Sequence, residues 1–183
     1  MGVRVKPLTL LIALPLLALS RSAIAQNLPA LSVTSPAFTA GAAIPDLYTC
    51  KNPNAGSPPL SWKGTPSNAK TLALIVKDPD APRGTFIHWV VYNLPSSIGE
   101  LRANVPHTAN LANGGLQGVN TEGQIGYMGP CPPPGSAPHH YHFELSALDT
   151  ALDLKPGATA ADLETAARGH VIAGGELLGT FAR

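Results

Sequence analysis

Charge is scarce in this sequence: Asp, Glu, Lys and Arg together make up 13% of 183 residues, against about 25% in an average soluble domain. The few cations are scattered, with no run of Lys or Arg, so the electrostatic footprint of a nucleic-acid-binding protein is missing. Cysteine is limited to Cys50 and Cys131, and neither the C-x-x-C nor the H-x-x-x-H spacing of a metal site occurs. The G-x-S-x-G turn that exposes a hydrolase serine is absent as well, and neither cysteine has a neighbour that would activate a thiolate. A metal, a cofactor and catalysis are therefore not expected. Beyond the N-terminal region no apolar run approaches the roughly 20 residues that a membrane-spanning helix needs.

The N-terminus has the three parts of a secretory leader: a basic start at Arg4 and Lys6, an apolar run from Leu8 to Leu19 broken by Pro15, and the small-residue site Ala23-Ile24-Ala25. The apolar run is too short for a membrane anchor. Residues 1–25 are expected to be removed as a signal peptide, with cleavage before Gln26. Residues 26–183 then form one domain of ordinary size, periplasmic or secreted, with no stable membrane insertion. No cysteine stands directly after the cleavage site, which argues against lipid attachment. Of 12 Lys and Arg, three (Arg4, Lys6, Arg21) leave with the leader, so 9 remain against 11 acidic residues, a balance of −2.

What the chain has in quantity is proline, 19 residues, and glycine, 18. Prolines fix φ and remove donors, which suits short strands joined by rigid loops and disfavours long helices. Disorder, the other reading of such composition, conflicts with a hydrophobic share of 44% arranged in strand patterns. Thr71 to Asp78 reads as a strand that stops at a proline turn. Period-two counting puts Leu72, Leu74, Val76 and Asp78 on one face, so the Asp78 carboxylate caps an apolar row. Phe86 to Leu94 is apolar on both faces except at His88 and Asn93, as in a central strand, and the same counting places His88 with Phe86, Val90 and Tyr92. A third strand, His140 to Leu148, puts Tyr141, Phe143 and Leu145 on one face and His140, His142 and Glu144 on the other. His139 falls beside Tyr141 if strand geometry already holds there. Residues 96–127 carry turn signals at Asn113-Gly114-Gly115 and Glu122-Gly123 but little periodicity, and read as a long loop, functional or mobile. Thr159 reads as the N-cap of a short helix that Gly169 stops, and Gly175 to Phe181 as a short edge strand. The fold class is mainly β with a small helix.

Chemistry concentrates in two separate segments. In Asp78-Pro79-Asp80-Ala81-Pro82 the prolines remove two donors, leaving the short carboxylates to bond the remaining turn amides. For Asp80 a structural Asx turn and a role at a site are both open; Asp78, ending an apolar face, is the pocket candidate. In Gly129-Pro130-Cys131-Pro132-Pro133-Pro134-Gly135 four prolines make a stiff, extended run that leads to His139-His140-Tyr141 and holds those side chains with little ordering cost on binding. Imidazole N–H and phenol O–H groups are donors suited to an oxyanion. His139 and His140 lie on opposite faces of a strand and do not easily share an ion, which again argues against a metal.

These segments, together with His88-Trp89-Val90-Val91-Tyr92-Asn93, Ala147-Leu148-Asp149, Pro59-Leu60-Ser61-Trp62 and the terminal Gly179-Thr180-Phe181, resemble the phosphatidylethanolamine-binding proteins in their bacterial Raf-kinase-inhibitor-like branch. The resemblance runs from about Leu31 to the C-terminus. It implies two antiparallel sheets with one or two small peripheral helices, and an anion pocket whose positions fall here on Asp78, His88, Pro132, Pro133, His139 and Tyr141, with Asp80, Trp89 and Cys131 in support. It also implies a ligand bearing a phosphate, a phospho-head-group or a carboxylate, and for some members inhibition of kinases or proteases through other surfaces. The function expected is that of an exported small-ligand-binding protein. The alternative is a protein-interaction module, such as a protease inhibitor or a modulator of an envelope or host partner. A hydrolase with His88 or His139 as base and Asp78 as its orienter is a third reading. One position departs from the family pattern: an Arg is common between the pocket His and Tyr, and this chain has His140, which strand alternation turns away from the pocket. An oxidising compartment permits a disulfide between Cys50 and Cys131; two buried free thiols are the other state open to them.

Overall fold

The computed structural model describes Met1, Gly2 and residues 30–183; the expected leader and its cleavage site fall almost wholly outside them. In chain order the elements are β1 (Ser32–Thr34), a single 3-10 turn (Asp46–Tyr48), β2 (Leu60–Lys63), β3 (Thr71–Asp78), β4 (Phe86–Pro95), β5 (Glu100–Leu101), β6 (Leu116–Gln117), β7 (His139–Leu148), α1 (Ala160–Ala167) and β8 (Val171–Phe181). They form two antiparallel sheets, a small one ordered β1-β2-β5 and a large one ordered β6-β4-β3-β7-β8.

Strand β3 sits in the middle of the large sheet, and every residue from Thr71 to Val76 is buried. Both of its faces are covered. Leu72, Leu74 and Val76 join Trp89, Val91, Phe143 and Leu145 in a core closed from the other side by Val33, Leu60 and Trp62 of the small sheet. On the opposite face Ala73, Ile75, Val90, Tyr92 and Leu148 pack against Leu163 and Ala167 of α1. The helix begins as its sequence requires: the Thr159 hydroxyl accepts from the Asp162 N–H while the Asp162 carboxylate accepts from the Thr159 N–H, a reciprocal cap worth about 1 kcal/mol.

One conditional reading is met and three findings depart from the sequence reading. Strand β7 begins at His139, so His139 and Tyr141 do share a face. Residues 96–127 contain the short strands β5 and β6, and are not a bare loop. Strand β8 is eleven residues long and pairs with β7 from His139↔Phe181 to Leu148↔Val171. It is an edge strand, as read, but not a short one. Its glycines hide the strand pattern because they answer to tertiary contacts: a Cβ at Gly175 would sit 2.1 Å from the Leu31 carbonyl oxygen, and one at Gly179 would sit 2.7 Å from Ile44 Cγ1. Backbone bonds from Leu31 to Gly174 and from Ile44 to Thr180, each 2.8 Å, cover that edge, which removes a template for unwanted pairing.

The third departure is the face of His88. Val76 pairs with Trp89 but Lys77 pairs with Ile87, and Leu74 pairs with Val91 but Leu72 with Leu94. Strand β4 therefore carries an extra residue at two places, the second marked by the positive φ of Asn93, 54°. Bulges of this kind re-aim side chains. Val90 and Tyr92 face α1, whereas His88 packs its ring on Phe86 and on Tyr141 of the inter-sheet side.

Candidate functional site

The ends of three neighbouring strands meet here: β3 stops at Asp78, β4 starts at Phe86 and β7 starts at His139. Asp78 is 3% exposed. Its Oδ2 accepts a bond from His139 Nδ1 at 2.8 Å and its Oδ1 accepts the Asp80 N–H at 2.9 Å. The Asx turn thus belongs to Asp78 and not to Asp80. The Asp80 carboxylate instead accepts the His140 N–H at 2.8 Å and lies 2.7 Å from His140 Nδ1. Those bonds hold the Asp80 carboxyl below its ordinary range, on an exposed surface outside the cavity lining.

His88, 4% exposed, places Nδ1 2.7 Å from the Met128 carbonyl oxygen, and Met128 returns its N–H to the His88 carbonyl at 2.9 Å. A carbonyl can only accept, so Nδ1 carries the ring hydrogen. Burial pushes the His88 pKa below its ordinary value, opposed by the Met128 bond and the Asp78 charge. Tyr141 lies beneath, its ring edge-on to His88 at 5.2 Å between centroids. Its hydroxyl is buried and has no hydrogen-bond partner among the described residues. Burial, then the Asp78 and Asp80 charges, drive its ionisation far upward, so the phenol remains a neutral donor.

A cavity of about 720 Å³ opens over these residues, lined by Asp78, His88, Cys131, Pro132, Pro133 and His139. Five of the six expected pocket positions thus converge; the sixth, Tyr141, is wholly buried and does not line the cavity, its ring lying against that of His88. Trp89, expected in support, is wholly buried and donates Nε1–H to Gln117 Oε1 at 2.7 Å; it is core and does not line the cavity. The proline wall is tied down at three points. Cys131 is joined to Cys50 in a disulfide, with Cα atoms 5.3 Å apart. The Cys50 N–H donates to the Pro130 carbonyl at 3.0 Å, and the Tyr127 hydroxyl donates to the Tyr48 carbonyl at 3.0 Å. Between them, Gly129 approaches so closely that a Cβ would lie 2.9 Å from the Tyr48 carbonyl oxygen.

Sequence reasoning missed Arg83, Phe86 as a wall, Thr121, Glu122 and Met128, all of which line the cavity. Arg83 and Glu122 had a signal: they are two of very few charges, each beside a turn residue. Met128 had none, because its contribution is a carbonyl. The segment that carries Thr121, Glu122 and Met128 is docked along β4, with Thr121 N–H on the Ile87 carbonyl at 3.0 Å and Ile87 N–H on Thr121 Oγ1 at 2.8 Å. Among the described residues no group of three or more His, Cys, Asp or Glu is placed to hold a metal ion, and no helix is long and apolar enough to cross a membrane.

Residues 34–182 match the family model described as phosphatidylethanolamine-binding protein. A UPF0098 protein of Methanothermobacter thermautotrophicus is 47% identical over 153 residues, covering 84% of this chain and 99% of that one. A solved phosphatidylethanolamine-binding protein homologue of Chlamydia trachomatis is 42% identical, covers 85% of this chain and 99% of its own, and superposes with a TM-score of 0.76. YbcL of E. coli, described as a member of the mammalian family, is 30% identical over 84% of this chain and 98% of its own, also with a TM-score of 0.76.

Proposed function

The chain belongs to the phosphatidylethanolamine-binding protein family, and on that premise we propose that it is an exported small-ligand-binding protein whose cavity takes an oxyanion such as a phosphate, a phospho-head-group or a carboxylate. The observation that carries the reading is the pair of buried histidines on one cavity, each with Nδ1 engaged by a protein acceptor. Each ring then has Nε2 left to offer a ligand. The Asp78 carboxylate fixes the His139 ring, and Arg83 adds a cation on the wall. On the wall Thr121 Oγ1 accepts from Ile87 and Cys131 is in a disulfide, while Thr85 also lines the cavity. The function proposed is to hold a ligand and not to turn it over. Export is supported by the leader pattern and by a disulfide of the kind that persists in oxidising compartments.

The test is to titrate inorganic phosphate and O-phosphoethanolamine against the wild-type mature protein and His139→Ala by NMR. The expected result is loss of binding in the variant, since a hydrogen bond to a charged group is worth roughly 1.5–3 kcal/mol. Identical shifts in the two proteins would refute the reading. An interaction with a protein partner through another surface would survive His139→Ala unchanged.

A further inference from the structure

We propose that Cys50–Cys131 is an exchangeable disulfide, opened at Cys50 by a thiol from solvent while Cys131 leaves as a thiolate beside Arg183, and that opening it releases the proline wall of the cavity. The chemistry is that of the bond, whatever ligand the cavity takes.

Disulfides that thiols can reach are the ones that exchange and regulate. Cys50 and Cys131 are both exposed, and Cys131 lines the cavity. The two sulfurs are not equivalent. The Arg183 guanidinium donates Nη1–H toward Cys131 Sγ at 3.3 Å. Lys51, beside Cys50 in sequence, is committed elsewhere: its ammonium lies 3.3 Å from Asp46 Oδ1 and 5.2 Å from the centre of the Phe181 ring. Exchange runs faster when the departing sulfur is the better thiolate, and a neighbouring cation makes it so. Cys131 is therefore the leaving sulfur and Cys50 the one attacked.

The incoming thiolate forms a bond to Cys50 Sγ, the Cys50–Cys131 bond breaks, and its electron pair leaves on Cys131 Sγ. The Cys131 thiolate restores the bond by attacking the mixed disulfide and expelling the small thiol; a dithiol instead carries the reaction on to two cysteine thiols, itself ending as a disulfide. The partners stay in reach while the bond is open, because the Cys50 N–H donates to the Pro130 carbonyl at 3.0 Å, a contact that does not use sulfur. The wall that follows Cys131 has few other ties. Pro132, Pro133 and Pro134 carry no N–H, and the Gly135 N–H reaches the Arg183 carbonyl at 3.3 Å. Opening the bond therefore loosens this side of the cavity and leaves both sheets in place.

Reduced glutathione, offered to the folded mature protein without denaturant and quenched with iodoacetamide, tests this by peptide mass spectrometry. The expected product carries glutathione on Cys50 and the alkyl group on Cys131. Arg183→Gln, at an exposed position, is expected to slow the opening ~3- to 10-fold and to erase the preference for Cys50, with an unchanged unfolding midpoint. In the wild-type glutathione adduct, with no ligand present, the amides of residues 129–136 are expected to lose hydrogen-exchange protection. A bond that opens only in urea would refute exchange in the folded state. Glutathione on Cys131, or an unaltered rate and ratio in Arg183→Gln, would overturn the assignment of the leaving sulfur. Protection retained in the adduct would overturn the coupling to the wall. The position of the wild-type adduct decides alone if the variant does not fold.

Discussion

Both oxygens of Asp78 are engaged inside the protein, one by His139 and one by the Asp80 amide, and this makes the residue a stability determinant as well as a site residue. Asp78→Ala strands a buried imidazole N–H and a turn amide. The expected loss is roughly 3–5 kcal/mol, the range for breaking a buried ionic pair from one side. Asp78→Asn keeps one acceptor and is expected to lose less. Urea unfolding measures both, and an unchanged midpoint in Asp78→Ala would refute the role. His88 gives a pH signature of the opposite kind to a salt-bridged histidine. Its pKa in the folded state lies below the ordinary 6.5, first through burial, so the unfolded chain binds a proton that the folded one resists. Its contribution is therefore complete above about pH 6.5 and is lost as pH falls through the folded-state pKa. Below pH 6.5, wild-type stability is expected to drop more steeply than that of His88→Gln; parallel curves would contradict it.

Among the elements, β4 decides the site by running out of step with β3. Strict alternation would put His88 on the α1 side with Val90 and Tyr92, and would aim the imidazole away from the cavity. The bulge brings His88 and Trp89 to the same side. Counting by two succeeded on β3 and β7, whose pairing is unbroken from Thr71↔Leu148 to Lys77↔His142, and so it placed Asp78, His139 and Tyr141. It failed on β4 because an extra residue resets the phase without changing composition. On β8 glycines kept for backbone clearance imitate a loop. Strands β1, β2, β5 and β6 are too short to show a period. The proline wall supports two predictions. The Cys50–Cys131 bond closes 81 residues, and the chain-entropy model assigns such a loop about 4–5 kcal/mol. Cys50→Ser with Cys131→Ser is expected to unfold at correspondingly lower denaturant, and two titratable thiols in the denatured, unreduced wild type would disprove the bond. Gly129→Ala must displace backbone of Tyr48 and Thr49 at 2.9–3.2 Å. It is expected to cost about 1–3 kcal/mol, as overpacking does, and to weaken phosphate binding with it.

Across the whole molecule, one side of the large sheet is closed by the small sheet and the other by α1, so the open ground lies at the strand ends. There the cavity walls come from β3, β4 and β7, from the docked segment before Met128, and from the disulfide-held prolines. The family was legible because its motifs sit at these same strand ends, where each residue type is dictated by turn and site chemistry. The loop contributions were not, since a carbonyl such as that of Met128 leaves no mark on the sequence. The anchoring of the proline wall and of the segment before Met128 has a consequence for chemistry. A cavity that holds ground state and transition state alike gives binding without rate, and among the described residues no group of three or more His, Cys, Asp or Glu is placed to hold a metal ion beside the Asp78–His139 pair. The mature protein is therefore expected to show no turnover of phosphomonoester, phosphodiester or carboxylic ester substrates. Turnover that disappears in both His88→Ala and His139→Ala, with circular dichroism and unfolding midpoints preserved, would overturn this and make His139 a general base oriented by Asp78.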